Sequence, residues 1–600
     1  MRLCYVLADV DPAAREYVLC LTISEPCPQG QVLAMAAWTP GSYMVRDHAR
    51  HVTWIEAVDG NGQAVELTWL DKQSWRAAPC EGVLSVRWRV HAHELSVRTA
   101  HLDSLWGFAD GAALWLRPLG FEHLPCRVEV QRSGSVMVNA GALEWRATMM
   151  LPPEAVDAHG YGVYTADNVE ALLDAPVAFG ALREFSFSVR GVEHRFAWLG
   201  RVEFDTARLA LDLARACETA VALFGPEPPP FARYLFLALV TPDGYGGLEH
   251  REGTALLCRP EHFPREGEVV TTPAYREFLG LCAHEYLHAW LVKRIRPAVF
   301  MPQPDGRLPL DAEAYTRLLW LFEGVTSYYD DLLLLRAGLI SLTEYLETLA
   351  TTMSRVQRAP GRERLTLEQA SLTAWTRLYK ADENTPNASI SYYTKGALFA
   401  WVLDVELRRR SEDRVSLDDV LRAMWRDFAL SGRGVPEEGL ESWVASVSAV
   451  DVQDIFERGL RACDDLPLEN CAQALGLSLS WTAAQDYPWL GAELRAGAQG
   501  EARVGTVYRG APAERAGLAP QDELLALNGL RVNRANLETH LRRFRAGDVV
   551  SLHVFRRDAL LRLHLSLQDA PPVQARIGLS ASAAATQLAR LCDWSAAERS

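Results

Sequence analysis

The five residues His284-Glu-Tyr-Leu-His288 constrain this chain more than any other stretch. They lie inside residues 278–294, whose apolar spacing is that of a helix. Residues four apart stand on one helix face, a turn from each other, so two imidazoles placed there can grip one ion. Glu285 sits one step round, beside an open coordination position, where a carboxylate can take a proton from water. Chance supplies this pattern in about 1–2% of chains of this length. The fold must therefore bury a helix carrying two histidines and bring a third protein donor to it.

Residues 319–330 supply a candidate for that donor. Glu323 stands there among Leu319, Trp320, Leu321, Phe322 and Val325. A carboxylate among such neighbours is costly unless it meets positive charge. Thr326 and Asp330 share its helical face, and either can hold the second nitrogen of a ligand histidine. The donor set of two histidines and a glutamate suits zinc, one ion per chain.

Six hundred residues exceed one core, so several domains are expected. Residues 1–175 alternate apolar and polar positions in short runs, which predicts an N-terminal antiparallel β-sandwich. Residues 176–475 form the candidate catalytic domain, with a buried strand at 234–240. Its helices are expected at 207–223, 275–294, 312–337, 342–357, 392–411 and 416–429. Strand-like runs return over 480–570, and an Ala-rich tail, 571–600, reads as peripheral. The class is multidomain α+β.

Net charge is −15, from 61 basic and 76 acidic residues. That balance argues against a nucleic-acid partner, which clustered Lys and Arg would have to hold. No stretch has the apolar length of a membrane span, and the apolar N-terminus is interrupted at Asp9 and Asp11. The 11 scattered cysteines form no CxxC pair, so the expectation is a cytoplasmic protein with reduced thiols.

His284-Glu-x-x-His288 with Glu323 on a following helix resembles the gluzincin metallopeptidases, and within them the glycyl aminopeptidase family. Four further stretches carry the likeness. Gly246-Gly-Leu-Glu-His250 resembles the aminopeptidase exopeptidase motif, and Tyr392-Tyr-Thr-Lys-Gly396 the segment with the catalytic tyrosine. Pro40-Gly-Ser-Tyr-Met-Val-Arg46 with His51-Val52 resembles a signature of the family's N-terminal domain. Residues 511–529, ending in Asn528-Gly529, look like a PDZ domain of the bacterial protease type, with 490–492 as its carboxylate-binding loop.

The resemblance implies a thermolysin-like catalytic domain, a zinc aminopeptidase activity and a preference for small N-terminal residues, Gly or Ala. It makes His284, His288 and Glu323 the metal ligands and Glu285 the general base. Tyr393 becomes the oxyanion donor, a task a phenol suits. Glu249 pairs with the substrate's α-ammonium, and Gly246 and Gly247 leave room for its backbone. The partners are then peptides with a free N-terminus, together with a peptide C-terminus at the PDZ groove. Two features depart from the family pattern: the gap from His288 to Glu323 holds an extra Pro- and Gly-rich loop, 295–310, and His250 replaces the usual Asn. An endopeptidase and a non-catalytic peptide-binding scaffold are the alternative readings.

Overall fold

The computed structural model describes residues 2–133, 144–497 and 500–596. The chain forms two compact units. One comprises Met1–Thr316, Tyr329–Ile340 and Leu421–Glu438, the other Arg317–Tyr328, Ser341–Val420 and Gly439–Ser600.

The first unit begins with β structure. Strand Leu84–His91 buries Leu84, Val86, Trp88 and Val90 and exposes Arg87 and Arg89, the period-2 pattern of a half-buried sheet. It belongs to an eight-stranded sheet, accompanied by two four-stranded sheets. Among the described residues the expected two-sheet antiparallel sandwich is thus corrected to three sheets. One pairing is also parallel: Leu3–Asp11 runs alongside Cys126–Val130. Alternation reveals strands, whereas a parallel partner arrives through a long crossover that leaves no local mark.

A mixed five-stranded sheet follows, from β1 (Arg183–Val189), β2 (Val192–Leu199), β3 (Arg233–Val240), β4 (Gly246–His250) and β5 (Gly253–Cys258). Their order is β1-β2-β3-β5-β4, so β4 is an edge strand, antiparallel to β5. Central β3 is almost wholly buried, as a strand covered on both faces must be. Helix α1 (Thr206–Phe224) starts at Asp205, whose side chain accepts from Arg208 N. Helix α2 (Pro273–Leu287) starts at Thr272, which accepts from Tyr275 N, with Pro273 in the first turn.

Helix α2 is shorter than its apolar pattern. It ends at Leu287, and His288 is its C-cap. Val292 then takes a left-handed conformation (φ 71°) and its N–H donates to Ile295 O at 2.8 Å, turning the chain back. A π-helical turn, Trp320–Gly324, precedes α3 (Val325–Arg336); residues 312–317, expected to be helical, are not.

The second unit contains α4 (Leu342–Arg358), α5 (Thr394–Arg410) and the C-terminal strands. Strands β6 (Leu477–Thr482) and β12 (Gln574–Leu579) pair with each other. Between them β7 (Ala492–Ala496), β8 (Ala502–Val507), β9 (Glu523–Leu527), β10 (Val549–Arg556) and β11 (Ala559–Ser566) form a sheet in chain order with β7 at one edge. Its core includes Val504, Leu524, Leu527, Val550, Leu552 and Leu565.

The tail is not peripheral. Helix α6 (Ala585–Ser595) buries Trp594, whose Nε1 donates to Tyr328 OH at 2.7 Å, and that hydroxyl donates to Asp404 Oδ2 at 2.6 Å. One buried indole anchors a segment whose Ala-rich composition hides it. Among the described residues no helix is long and apolar enough to cross a membrane.

Candidate metal centre

The two histidines of α2 face each other, with His284 Nε2 and His288 Nε2 3.1 Å apart. Each ring's other nitrogen has a partner. His284 Nδ1 lies 3.2 Å from Asp330 Oδ2, and His288 Nδ1 lies 3.3 Å from the Leu291 carbonyl oxygen. Ionised carboxylates and carbonyls only accept, so these partners assign the hydrogen to Nδ1 and leave both Nε2 lone pairs turned toward one space. Two such lone pairs repel unless a cation lies between them. Nitrogens about 2.1 Å from one tetrahedral ion are themselves about 3.4 Å apart, close to the spacing found.

The third expected ligand, Glu323, belongs to the second unit. Glu323 is 2% exposed and sits in the π-helical turn, a wider turn that recurs at functional sites. The two histidine donors thus fit a divalent cation by type and spacing. Of the two candidates for holding a ligand histidine, Asp330 takes that place. Thr326 instead donates to Phe322 O at 2.7 Å, a bond within its own helix.

A second cluster adjoins the first. Donor atoms of Glu249, Glu285 and His288 also lie within 4.8 Å of one another. Glu249 projects from edge strand β4, is 4% exposed, and its Oε1 has no hydrogen-bond partner among the described residues. A buried carboxylate oxygen left so is expensive and favours an arriving donor. Gly247 lies directly over the general-base candidate: a Cβ there would collide with Glu285 Oε1. Gly246 has φ 140° and open space around it, so its need for glycine is conformational.

Sequence reasoning missed two residues that shape this strand. Arg98 Nη2 donates to Gly247 O at 2.8 Å. Gly41, at φ 97°, packs so closely that a Cβ would collide with the Glu249 carboxylate. Gly41 lies within the 40–46 stretch already singled out; Arg98 carries no local signal.

His250 points away from this chemistry. It is 1% exposed, with Nδ1 3.4 Å from Asp174 Oδ1, and Asp174 also accepts from Lys293 Nζ at 2.8 Å. Burial pushes the Asp174 carboxyl up, but Lys293 and His250 outweigh it and hold it below the usual range. Burial opposes the Lys293 charge, and Asp174 and Glu249 overcome that and raise its pKa. Glu249, Gly41, Phe300, Met301 and Leu310 line part of a cavity of about 610 Å³, which brings the inserted loop 295–310 to Glu249.

Tyr393 lies in the second unit as the N-cap of α5. A Cβ on Gly324 would come within 2.6 Å of Gly396 Cα, so the π turn and the start of α5 meet backbone to backbone. That approach brings the Tyr393 phenol within the field of Glu323. Burial first, then Glu323, raises its pKa well above the ordinary value, so it stays protonated at neutral pH and can donate.

Residues 277–399 match the family model of M61 glycyl aminopeptidase, and residues 5–181 that of the peptidase M61 N-terminal domain. No curated protein sequence matches the chain. Among solved structures it is similar to an aminopeptidase N family protein from Idiomarina loihiensis, at 32% identity and TM-score 0.92, covering 99% of both chains. More distant are an M1 zinc metallopeptidase from Deinococcus radiodurans (15% identity, TM-score 0.48, 78% of this chain and 94% of that one) and yeast LTA4 hydrolase (12%, 0.44, 79% and 70%). With its histidine pair set on α2 and end-to-end likeness to the Idiomarina protein, the chain belongs to the M61 glycyl aminopeptidase family.

Proposed function

We propose that the protein is a zinc aminopeptidase that removes N-terminal residues, Gly and Ala foremost, from peptides. The observation that carries this reading is the pair of Nε2 atoms 3.1 Å apart, each ring held from behind by an acceptor. His284, His288 and Glu323 would hold the ion, which when bound supplies a Lewis acid for the scissile carbonyl.

The chain's own residues do the rest. Glu285 accepts the proton of the attacking water and passes it to the leaving amine. Tyr393, kept protonated by burial, donates to the developing oxyanion. β4 is the last strand of its sheet, and a peptide can lie along it as an added strand. Glu249 stops that strand by pairing with the α-ammonium, which fixes cleavage one residue in.

The finer domain assignment belongs to the same reading. Residues 1–175 are the N-terminal domain, 176–475 a thermolysin-like catalytic domain, and 480–570 a PDZ-like module whose edge strand β7 can receive a peptide C-terminus. All 11 cysteines are free thiols, which supports a reducing compartment such as the cytoplasm.

Aminoacyl 4-nitroanilides test the proposal. Gly and Ala derivatives should be cleaved, chelator should abolish the activity, and one equivalent of zinc should restore it. N-acetylated substrates should resist. Chelator-insensitive cleavage would remove the metal, and efficient cleavage of blocked peptides would remove the exopeptidase role of Glu249.

A further inference from the structure

We propose that Asn387 is a positioning residue for the Tyr393 phenol, and that through it the C-terminal β module sets where that phenol stands. The inference rests on Tyr393 acting as the oxyanion donor.

Asn387 lies in the short helix Thr385–Ala388, six residues before Tyr393, and is buried. It follows an exposed run, residues 380–384. Both ends of its side-chain amide are bound to one distant stretch of backbone. Nδ2 donates to Val507 O at 2.8 Å, and Oδ1 accepts from Arg509 N at 2.9 Å. A carbonyl only accepts and an N–H only donates, so the amide orientation is fixed by its partners. Asn387 thereby acts as one more rung at the end of β8.

That stretch belongs to the C-terminal module. Tyr508 N donates to Gly491 O and Ala513 N to Leu490 O, both at 2.9 Å. The clamp is therefore tied to the turn that opens edge strand β7.

On the other side of Asn387 the chain has little slack before Tyr393. Arg377 Nη1 donates to Ala388 O at 3.2 Å. Ser389 N donates to Thr385 O at 2.9 Å, and a Cβ on Gly361 would collide with the Ser389 backbone. Ser391 Oγ accepts from Tyr393 N at 3.2 Å, and Ser391 O from Lys395 N at 3.0 Å. Asn387 is the first buried side-chain anchor after the exposed run, and each following step is held. Displacing it moves the start of α5 and the phenol with it.

The test is a double-mutant cycle on the full-length zinc enzyme, with kcat, KM and zinc content read for each variant. Asn387→Ala should lower kcat about 10-fold, with KM within about twofold and zinc retained, because a displaced donor costs transition-state stabilisation rather than binding. In a Tyr393→Phe background the same substitution should cost nothing further. Asn387→Asp keeps the acceptor for Arg509 N and loses the donor to Val507 O, so its kcat should fall in between. If Asn387→Ala does not fold, Asn387→Asp completes the same cycle. Full kcat in Asn387→Ala, or additive losses in the double variant, would overturn the inference while leaving Tyr393 catalytic. Wild-type kcat in Tyr393→Phe would overturn the catalytic role of Tyr393, and this inference with it.

Discussion

Arg98 Nη2 donates to the Gly247 carbonyl oxygen at 2.8 Å across 149 residues of sequence. Through it the N-terminal β region holds the edge strand on which the proposed substrate lies. Leaving a buried carbonyl without its donor costs about 1–3 kcal/mol, which the strand can relieve by shifting. Arg98→Met should therefore raise KM for aminoacyl substrates about tenfold and change kcat little. Steady-state kinetics at matched zinc occupancy would read this, and an unchanged KM would separate Arg98 from substrate binding.

Adjacent glycines should fail in different ways. Gly247→Ala drives a methyl group into the space of Glu285 Oε1, and general-base catalysis tolerates little displacement. Its kcat should drop about 100-fold with zinc still bound, because the ligand atoms on α2 are untouched. Gly246→Ala meets no atom but must adopt φ 140°, so its loss should appear in thermal stability. The contrast is read by kcat and Tm measured on both variants.

Much of the proposed site was legible in the sequence, because its chemistry is bound to local spacing. His284 and His288 lie a turn apart wherever a helix forms, and Glu323 stands out among apolar neighbours. The end of α2 was not legible: residues 289–294 keep an apolar pattern that the turn at Val292 overrides. Nor was the π-helical turn at Glu323, whose extra width has no residue signature. The parallel pairing of Leu3–Asp11 and the reach of Arg98 to Gly247 depend on contacts more than 100 residues apart, which no local pattern encodes. The Ala-rich tail misleads by composition, since Ala575, Leu591 and Trp594 are buried within it.

Acid should act on the segment leading into Gly41. Thr39 Oγ1 donates to Asp110 Oδ2 at 3.0 Å and lies 3.2 Å from His48 Nε2. Burial, then Arg46 and His51, push the His48 pKa down to about 3, against a smaller pull from Asp47. Its unfolded value is about 6.5, so between these limits the unfolded chain binds the extra proton. Its contribution is complete above the unfolded value and is lost as pH falls toward the folded one. His48→Gln removes the titration, so the Tm gap between wild type and variant should shrink by a few degrees from pH 7.5 to 4.5. A gap that stays constant over that range would exclude His48.

Asp330 and Thr326 share one helix face, but only Asp330 reaches His284. Asp330 Oδ2 fixes the Nδ1 hydrogen of that ring and strengthens Nε2 as a donor to a cation. Thr326 spends its hydroxyl on Phe322 O. Asp330→Ala should weaken zinc affinity about 10–100-fold, measured by competition with a chelator of known affinity. Thr326→Val should leave that affinity unchanged, since it alters a bond inside the helix. Equal affinity in wild type and Asp330→Ala would mean that the His284 ring is oriented by its packing alone, and the carboxylate would lose its part in the metal centre.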